Sequence, residues 1–250
     1  MTFRIEEGER VGLVGESGSG KSSLARAILG LQPISGGSIS INGKTYHGRS
    51  QKERIDRARL VQMVFQDPYH SLNPRRSILQ SLSEAVAAQA NPPPAKDYPS
   101  ACTSLLERVG LDLSILPRYP HEFSGGQRQR ICIARALAVQ PRILICDEAV
   151  SALDASTQAS VVRLLKKISE EEGISLLFIT HDLPLIESLC ERVVIMHKGN
   201  LKEEGQSAEV FSTPKTKETK RLLDSVLRLE VKDDRVDPVP TAKPFSGENA

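Results

Sequence analysis

Apolar and polar positions follow two patterns along this chain, one typical of buried strands and the other of amphipathic helices. Helical spacing begins after residue 20, where apolar residues recur every three or four positions, and returns over 157–171 and 183–190. Because the two patterns alternate over much of the sequence, we expect an α/β fold with a parallel sheet. The apolar runs that predict its strands are VGLV at 11–14, RILICDE at 142–148, ISLLFITHD at 174–182 and ERVVIMHKG at 191–199.

Two other parts of the chain do not show this alternation. Residues 2–9 and 37–42 predict strands around tight turns. RLVQMVFQDP predicts one more strand, which ends at Asp67-Pro68. From 77 to 116 the pattern is helical, although three consecutive prolines exclude one continuous helix. SGGQRQRICIARALAV predicts a further helix.

The segment GESGSGKS, from Gly15 to Ser22, lies between a predicted strand and a predicted helix and fits G-x-x-x-x-G-K-[ST] in full. Glycine lets the backbone curl so that N–H groups face phosphate oxygens, and the helix adds its free N–H groups. Lys21 supplies a positive charge for the phosphates, and the Ser22 hydroxyl is a ligand for Mg²⁺. A flexible Gly/Ser turn is the alternative, but the strand–loop–helix context argues against it. The segment predicts a nucleoside triphosphate and magnesium, without saying how they are used.

Polar residues with hydrolytic chemistry end three of the predicted strands. Asp147 and Glu148 follow ILIC, where an aspartate would lie beside the metal and a glutamate would polarise an attacking water as a general base. His181 follows the next strand and can hydrogen-bond the γ-phosphate, and Gln66 follows VQMVF. Taken alone, each of these residues is equally explained as an ordinary strand end. Only together with the phosphate loop do they indicate ATP hydrolysis.

A second turn of small residues precedes the helix that begins at SGGQRQR. Ser124, Gly125 and Gly126 come directly before Gln127, and a helix N-terminus of this kind is a second anion site by the same physics. Two such sites in one chain suggest that two nucleotides bind between two copies, each closing on the other's γ-phosphate. A Gly-rich helix start without a ligand is the alternative.

The composition excludes several other classes of function. The chain has 250 residues, a net charge of +2, no Trp and only 4% aromatic residues, which gives no footprint for nucleic-acid binding. Its four cysteines are widely scattered without C-x-x-C spacing, so we expect reduced thiols and no structural metal. No apolar run approaches the roughly 18 residues that a membrane-spanning helix needs. If the protein acts at a membrane, we therefore expect it to do so by binding a partner protein.

The phosphate loop, SGGQRQR, LICDE, SALD and THD occur together and in one order between residues 3 and 205. This set resembles the ATP-binding subunits of the ABC transporter family. The resemblance implies a P-loop NTPase fold with a parallel-sheet core, antiparallel strands near the N-terminus and an inserted helical subdomain. It implies a discontinuous RecA-like core at 1–69 and 140–212, a helical subdomain at 70–139, and a C-terminal helix with a disordered tail at 213–250.

The resemblance also implies catalytic and metal-binding roles for individual residues. Glu148 would be the catalytic base, His181 the switch that senses the γ-phosphate, and Lys21 a further catalytic group. Asp147 would order the metal site. The implied Mg²⁺ ligands are Ser22, Gln66 and Asp147.

Two separate stretches would contact ATP according to the same resemblance, one on the nucleotide bound by this subunit and one on the nucleotide bound by the other. Asp154 would lie at the seam between the two subunits and link their sites. The implied contacts to the subunit's own ATP are Gly15, Glu16, Ser17, Gly18, Ser19, Gly20, Lys21, Ser22, Ser23 and Gln66. The implied contacts to the other ATP are Ser124, Gly125, Gly126 and Gln127.

Finer motifs narrow the resemblance to importers of the peptide and nickel group: VFQDPYHSLNPRRSI, YPHEFSGGQRQR and DEAVSALD. Such importers pair two different ATPase subunits with two membrane permeases and receive solute from an extracytoplasmic binding protein. No cysteine follows Cys190, and STPKTKETKRLL replaces an HPYT-like run, which favours nickel or a nickel chelate over di- or oligopeptides. We expect a peripheral ATPase at the cytoplasmic face of the cell (inner) membrane that uses ATP and Mg²⁺, with no nucleic-acid partner. The leading alternative is a soluble ABC ATPase that acts in DNA repair or on ribosomes.

The stretch before the phosphate loop is shorter than the family pattern. Members have a strand and an adenine-stacking aromatic residue roughly twenty-five positions before the first loop glycine, whereas fourteen residues precede Gly15 here. We therefore expect no stacking aromatic, an exposed strand edge, and weakened ATP binding, since base–aromatic stacking contributes about 1–3 kcal/mol. A start of translation further upstream is the alternative explanation.

Overall fold

The computed structural model describes residues 1–47 and 50–224, and most of its strands form one six-stranded sheet within that part of the chain. The strands are β1 (Arg10–Val14), β2 (Ile39–Ile41), β3 (Lys44–Tyr46), β4 (Val61–Val64), β5 (Ile143–Asp147), β6 (Ser175–Ile179), β7 (Arg192–His197) and β8 (Asn200–Gln206). The helices are α1 (Lys21–Leu29), α2 (Gln51–Leu60), α3 (Pro68–Ser71), α4 (Ile78–Ala87), α5 (Tyr98–Arg108), α6 (Gly125–Leu137), α7 (Ala155–Glu172), α8 (Leu183–Leu189) and α9 (Ser207–Ser212). Short 3₁₀ turns cover Ala95–Asp97, Leu113–Ile115 and Pro120–Glu122.

The sheet runs in the order β4-β5-β6-β1-β7-β8, and its neighbours are parallel except for the antiparallel pair β7 and β8. This confirms the α/β fold with a mainly parallel sheet. Parallel strands share one direction, so the carboxyl ends of β1, β4, β5 and β6 lie at the same edge. Asp147 at the end of β5 pairs with Ile179 at the end of β6. The phosphate loop, the two acids and the histidine therefore all emerge at one edge of the sheet.

Two hydrophobic clusters cover the two faces of this sheet. Side chains alternate between the faces along a strand, so Leu13 joins the smaller cluster and Val14 the larger one. The same alternation sends Leu144 and Cys146 to the larger cluster and Ile145 to the smaller one. Buried residues of α4 to α8 fill the larger cluster, and α1 with β2 and β3 covers the smaller one.

The predicted strand over 2–9 is wrong, because the chain turns immediately before β1. Gly8 has a φ of +74°, and the Glu9 amide donates to the carbonyl of Glu6 over 3.1 Å. Phe3 and Ile5 pack against the smaller cluster without forming a strand. Within the described residues β2 and β3 pair only with each other.

The helix α2 was not predicted, since its sequence QKERIDRARL has almost no apolar stripe. Interactions at its two ends, rather than hydrophobic periodicity, favour the helix. The Ser50 hydroxyl accepts from the Glu53 amide over 3.1 Å, which caps the first turn. Arg57 and Arg59 lie in the last turn, where a positive charge is favourable.

The segment after α9 is held to β8 by a buried carboxylate. Glu203 is 7% exposed and accepts hydrogen bonds from the amides of Lys215 and Thr216 and from the hydroxyls of Thr216 and Thr219. Burial alone would raise the pKa of Glu203, but these donors outweigh it and lower the pKa. Residues 217–224 are helical, and the predicted tail over 225–250 lies outside the described residues.

All four cysteines are buried and free, in agreement with the expectation of reduced thiols. Burial raises the pKa of Cys132 to about 11 and that of Cys146 to about 12. Because the thiolate is the reactive form, these side chains serve packing rather than chemistry.

Candidate nucleotide-binding site

The loop between β1 and α1 surrounds a cavity of about 480 Å³. Gly18 and Gly20 have φ values of +75° and +101°, a left-handed conformation that glycine adopts without strain. Gly15 is required for a different reason, since a Cβ atom there would lie 2.1 Å from the Met196 carbonyl oxygen. The loop is thus fixed by both backbone conformation and close packing. The cavity is lined by Gly15, Ser17, Gly18, Gly20, Lys21, Ser22, Ser23, Glu148 and His181.

Lys21 begins α1 and lies folded back over the loop. Its Nζ donates to the carbonyl oxygens of Gly15 at 2.7 Å and Glu16 at 3.0 Å, and the residue is 9% exposed. Burial lowers the pKa of Lys21, while the nearby charges of Glu148 and Asp147 act in the opposite direction. The ammonium group therefore lies at the cavity wall, where a bound phosphate would supply a further counter-charge.

Asp147 ends β5 and its carboxylate is hydrogen-bonded by the Ser22 side chain. Burial raises the pKa of Asp147, and the charge of Glu148 raises it further. Hydrogen bonding from Ser22 and the positive charges of Arg26 and Lys21 act against that rise. A cation beside this carboxylate would favour its charged form.

The pair Ser22 and Asp147 fits a magnesium ion. Hydroxyl and carboxylate oxygens are the hard ligands that Mg²⁺ prefers, and Mg²⁺ is usually bound by one or two protein groups together with substrate phosphates. Within residues 1–47 and 50–224, no group of three or more His, Cys, Asp or Glu side chains could hold a metal ion. The arrangement is therefore that of a site shared with a phosphate ligand rather than a cage made by the protein.

Glu148 stands in a strained backbone conformation at the mouth of the cavity. Its φ is +47°, which is uncommon for a residue with a side chain, and its amide donates to the Ile179 carbonyl over 2.8 Å. The Glu148 Oε1 atom lies 3.5 Å from Nδ1 of His181, whose side chain is largely exposed. The Glu148 carboxylate and the His181 imidazole thus lie together beside the phosphate loop.

Gln66 lies apart from this group. It follows β4 by two residues and is exposed, and it is not among the described residues that line the cavity. The structure therefore brings Lys21, Asp147, Glu148 and His181 to the loop and leaves Gln66 outside it. The metal-binding role of Gln66 stays a prediction.

The second small-residue turn starts α6 beside another cavity, of about 380 Å³. Ser124 and Gln127 form a capping box: the Ser124 hydroxyl accepts from the Gln127 amide, and the Gln127 side chain accepts from the Ser124 amide. Gly126 packs on α7, since a Cβ atom there would lie 2.3 Å from Cγ2 of Thr157. Both capping side chains are thus engaged in the helix itself. This cavity is lined by Ser124, Gly126, Gln127, Arg130, Ser156, Thr157, Ser160 and Arg163.

The side of this cavity formed by α7 was missed in the sequence. Ser156, Ser160 and Arg163 recur at spacings of four and three, so they share one face of the helix. This polar stripe on α7 was the sequence signal from which that wall of the cavity could have been predicted. Asp154 lies just before it as the N-cap of α7 and accepts from the Thr157 amide and the Ser156 hydroxyl. These hydrogen bonds, from Thr157 first, lower the pKa of Asp154.

The turn between β7 and β8 supports the phosphate loop from outside, which the sequence did not suggest. The Gly199 amide donates to the Ser19 carbonyl over 2.9 Å, and Nδ1 of His197 lies 3.4 Å from a carboxylate oxygen of Glu16. Among the described residues, no Phe, Tyr or Trp side chain lines the cavity. No helix in that part of the chain is long and apolar enough to cross a membrane.

Comparison with known sequences assigns the motifs to one family. The model of the ABC transporter family matches residues 1–151. The chain is 44% identical over 227 residues to the oligopeptide transport ATP-binding protein OppF of Bacillus subtilis, covering 90% of this chain and 74% of that protein. It is 45% identical over 226 residues to OppF of Haemophilus influenzae, covering 90% and 68%. It is also 45% identical over 226 residues to OppF of Streptococcus mutans, and the match covers 90% of this chain and 73% of that protein.

Solved structures agree with the sequences. Part of the cbiONQ transporter complex, cbiO1 of Clostridium perfringens, superposes with a TM-score of 0.77 at 28% identity, covering 94% of this chain and 90% of that one. A dimeric ATP-binding cassette, MJ0796, in a post-hydrolysis state with ADP and Pi, gives a TM-score of 0.72 at 28% identity, covering 82% and 88%.

These relatives do not support the expectation of nickel, since the similar proteins are named for oligopeptides or peptides. The expectation of nickel came from the stretch after Cys190, which is only indirect evidence about the solute. The motifs, the fold and the relatives agree on the remaining assignment. The chain belongs to the ABC transporter family and is an ATP-hydrolysing transport subunit of it.

Proposed function

We propose that this chain is the ATP-hydrolysing subunit of an importer for di- or oligopeptides. One observation carries the proposal: the phosphate-loop cavity and the α6 cavity share no lining residue. Among the described lining residues, a carboxylate occurs in the phosphate-loop cavity and not in the α6 cavity. A hydrolytic site would therefore be completed between the loop of one subunit and the α6 terminus of another.

The loop side supplies the hydrolytic groups. The β- and γ-phosphates of ATP would lie on the loop N–H groups, with Lys21 as their counter-charge. Glu148 would take a proton from the water that attacks the γ-phosphorus, and the bond to the oxygen bridging to the β-phosphate would break to give ADP and Pi. His181 would hydrogen-bond the γ-phosphate. Ser22 and Asp147 would hold Mg²⁺, and Gln66 would join them when the two subunits close on the nucleotide. The bound ion would neutralise charge on the β- and γ-phosphate oxygens.

The α6 side would act on the nucleotide of another subunit. The free N–H groups of α6 and the backbone at Gly125 and Gly126 would contact that γ-phosphate, while Asp154 would lie at the seam. We propose as partners a second ABC ATPase subunit of a different chain and two integral permeases, with an extracytoplasmic solute-binding protein acting indirectly. The subunit would sit peripherally on the cytoplasmic face of the inner membrane. It would divide into a core of 1–69 and 140–212, a helical subdomain of 70–139 and the segment from 213.

The peptide substrate is proposed from the names of the relatives. Uptake of a labelled peptide and of nickel should be compared in a strain lacking this chain. We expect peptide uptake to fall and the wild-type chain to restore it. Glu148→Gln should fail to restore it, whereas Glu187→Gln, at an exposed glutamate of α8, should succeed. Loss of nickel uptake alone would overturn the peptide assignment, and recovery of ribosomes or DNA instead of permeases in a pull-down would overturn transport.

A further inference from the structure

A third cavity, of about 400 Å³, lies at the opposite end of α1 from the phosphate loop. The helix has nine residues, so at about 1.5 Å per residue this cavity is on the order of 13 Å from Lys21. Its walls are the end of α1 with the following loop 31–34, His47 after β3, and Arg54 and Arg57 of α2. No residue is shared with either cavity of the nucleotide site.

Arg57 is an unusual residue for this position, because its guanidinium is buried and only partly satisfied. It is 3% exposed, and within the described residues its Nε atom has no hydrogen-bond partner. Its Nη1 atom donates to the Ala27 carbonyl at 3.4 Å, near the limit for a hydrogen bond. The Tyr46 ring lies 6.0 Å from Cζ of Arg57, but it does not supply the missing hydrogen bond at Nε. Buried charges are normally paired, so this guanidinium lacks part of the counter-charge that its burial requires.

The end of α1 is shaped to admit this side chain. Gly30 has a φ of +82°, and a Cβ atom there would lie 1.8 Å from Nη2 of Arg57. Glycine is thus required twice, for the helix end and for the close approach of the guanidinium. The Ala27 and Arg26 carbonyls are already capped by the amides of Gly30 and Leu31. The helix end therefore does not neutralise Arg57 by itself.

The charges around the cavity are one-sided. Arg54 and Arg57 line it with His47, and no carboxylate is among its described lining residues. Asp56 is engaged with Lys44 and Tyr46, and Glu53 attracts Arg57 through space without lining the cavity. A concave site with two guanidinium groups and an imidazole is complementary to an oxyanion.

We propose that this cavity binds a small ligand through a phosphate or carboxylate group, held between Arg54 and Arg57. The ligand would be distinct from the ATP of the phosphate loop. It would supply the counter-charge that Arg57 lacks and join α2 to the end of α1. Arginine suits this role because its planar fork holds both oxyanions in bidentate fashion.

The test is a titration of the full chain with inorganic phosphate and, separately, succinate, with ADP and Mg²⁺ at saturation so that the phosphate loop is occupied. Amide NMR shifts of Gly30 and the loop 31–34 report binding. We expect saturable shifts with at least one of the two probes. Arg54→Gln and Arg57→Gln should each weaken that binding by at least about fivefold, since each removes a charge-assisted contact. Lys52→Gln, at an exposed lysine of the same helix that does not line the cavity, should leave it unchanged.

Each outcome of this titration decides something. A response to phosphate alone identifies a phosphorylated ligand, and a response to succinate alone identifies a carboxylate, and either supports the proposal. Absence of saturable shifts with both probes overturns it. Shifts that persist unchanged in Arg54→Gln also overturn it, and because Arg54 is exposed this variant keeps the test decisive if Arg57→Gln does not fold. The result is independent of which solute the transporter carries.

Discussion

The two nucleotide cavities are built by the same device, a small-residue turn before a helix, yet they differ in almost every other respect. The phosphate loop is packed against the β7–β8 turn and has a buried lysine and two acids. The α6 turn is open, holds its capping side chains within the helix, and is lined by Arg130, Arg163 and hydroxyls. The first cavity is lined by a carboxylate and an imidazole, which can move protons, whereas the described lining of the second contains neither and is made of hydroxyl, amide and guanidinium groups. The difference supports the proposal that the two regions are halves of one site rather than two equivalent sites.

The largest effect is expected at the acid that only the loop region has. Glu148→Gln should lower ATP hydrolysis by about 10²–10⁴, the range for loss of a general base, while nucleotide binding stays near wild type. Turnover and binding of a fluorescent ATP analogue, measured on one preparation, separate the two effects. Glu187→Gln is the control. Turnover near the wild-type rate would remove Glu148 from the role of base.

The two neighbouring glycines of the α6 turn should differ in how much stability a Gly→Ala substitution costs. Gly126→Ala places a methyl group 2.3 Å from Thr157 and should lower the free energy of unfolding by about 1–3 kcal/mol through overpacking. Gly125→Ala meets Leu153 only at 3.5 Å and should cost little. Urea denaturation of both variants measures the difference. Equal stability of the two would show that α6 and α7 are not packed as described.

A pH experiment separates a half-buried acid of the loop region, Asp147, from an exposed acid elsewhere, Asp112. Burial raises the pKa of Asp147 above 3.8, its value in the unfolded chain. The charged carboxylate therefore lowers the stability of the nucleotide-free protein at pH values above the raised pKa. This loss of stability disappears below pH 3.8, where the carboxyl group is protonated in both states. Asp147→Asn should therefore stabilise the nucleotide-free protein at neutral pH, with a gain that shrinks as pH falls. Asp112, whose pKa is lowered by hydrogen bonds from Ser114, should show the opposite trend in Asp112→Asn. Denaturation curves across pH decide this, and a loss of stability in Asp147→Asn at neutral pH would contradict it.

The smallest effect is expected where the β7–β8 turn touches the phosphate loop. His197 and Glu16 lie 3.4 Å apart, but Glu16 is 59% exposed, so the pair should contribute no more than about 1 kcal/mol. A double-mutant cycle of His197→Gln and Glu16→Gln on ATP affinity measures their coupling. A coupling well above that figure would give this turn a larger part in binding.

The sequence predicted those parts of the molecule that depend on local motifs and on alternating strands and helices. Gly15 to Ser22, Asp147, Glu148 and His181 were assigned from short motifs, and the structure brings them to one edge of the sheet. The helix α2 escaped prediction because its polar sequence has no apolar stripe, and 2–9 was mistaken for a strand because Gly8 turns the chain. The α7 wall of the second cavity and the His197 contact depend on tertiary packing, which periodicity does not report.

The most direct test of the two-half account is the mass of the Glu148→Gln protein in solution, alone and with the second ATPase subunit of its transporter, with and without ATP. We predict a two-cassette species that forms only with ATP in at least one of these mixtures. Gly125→Arg in the same background should abolish it while ATP binding persists, because a side chain at 125 meets Leu153 only at 3.5 Å and the loop cavity is untouched. A mass that ignores ATP in both mixtures, or a two-cassette species that survives Gly125→Arg, would contradict the account.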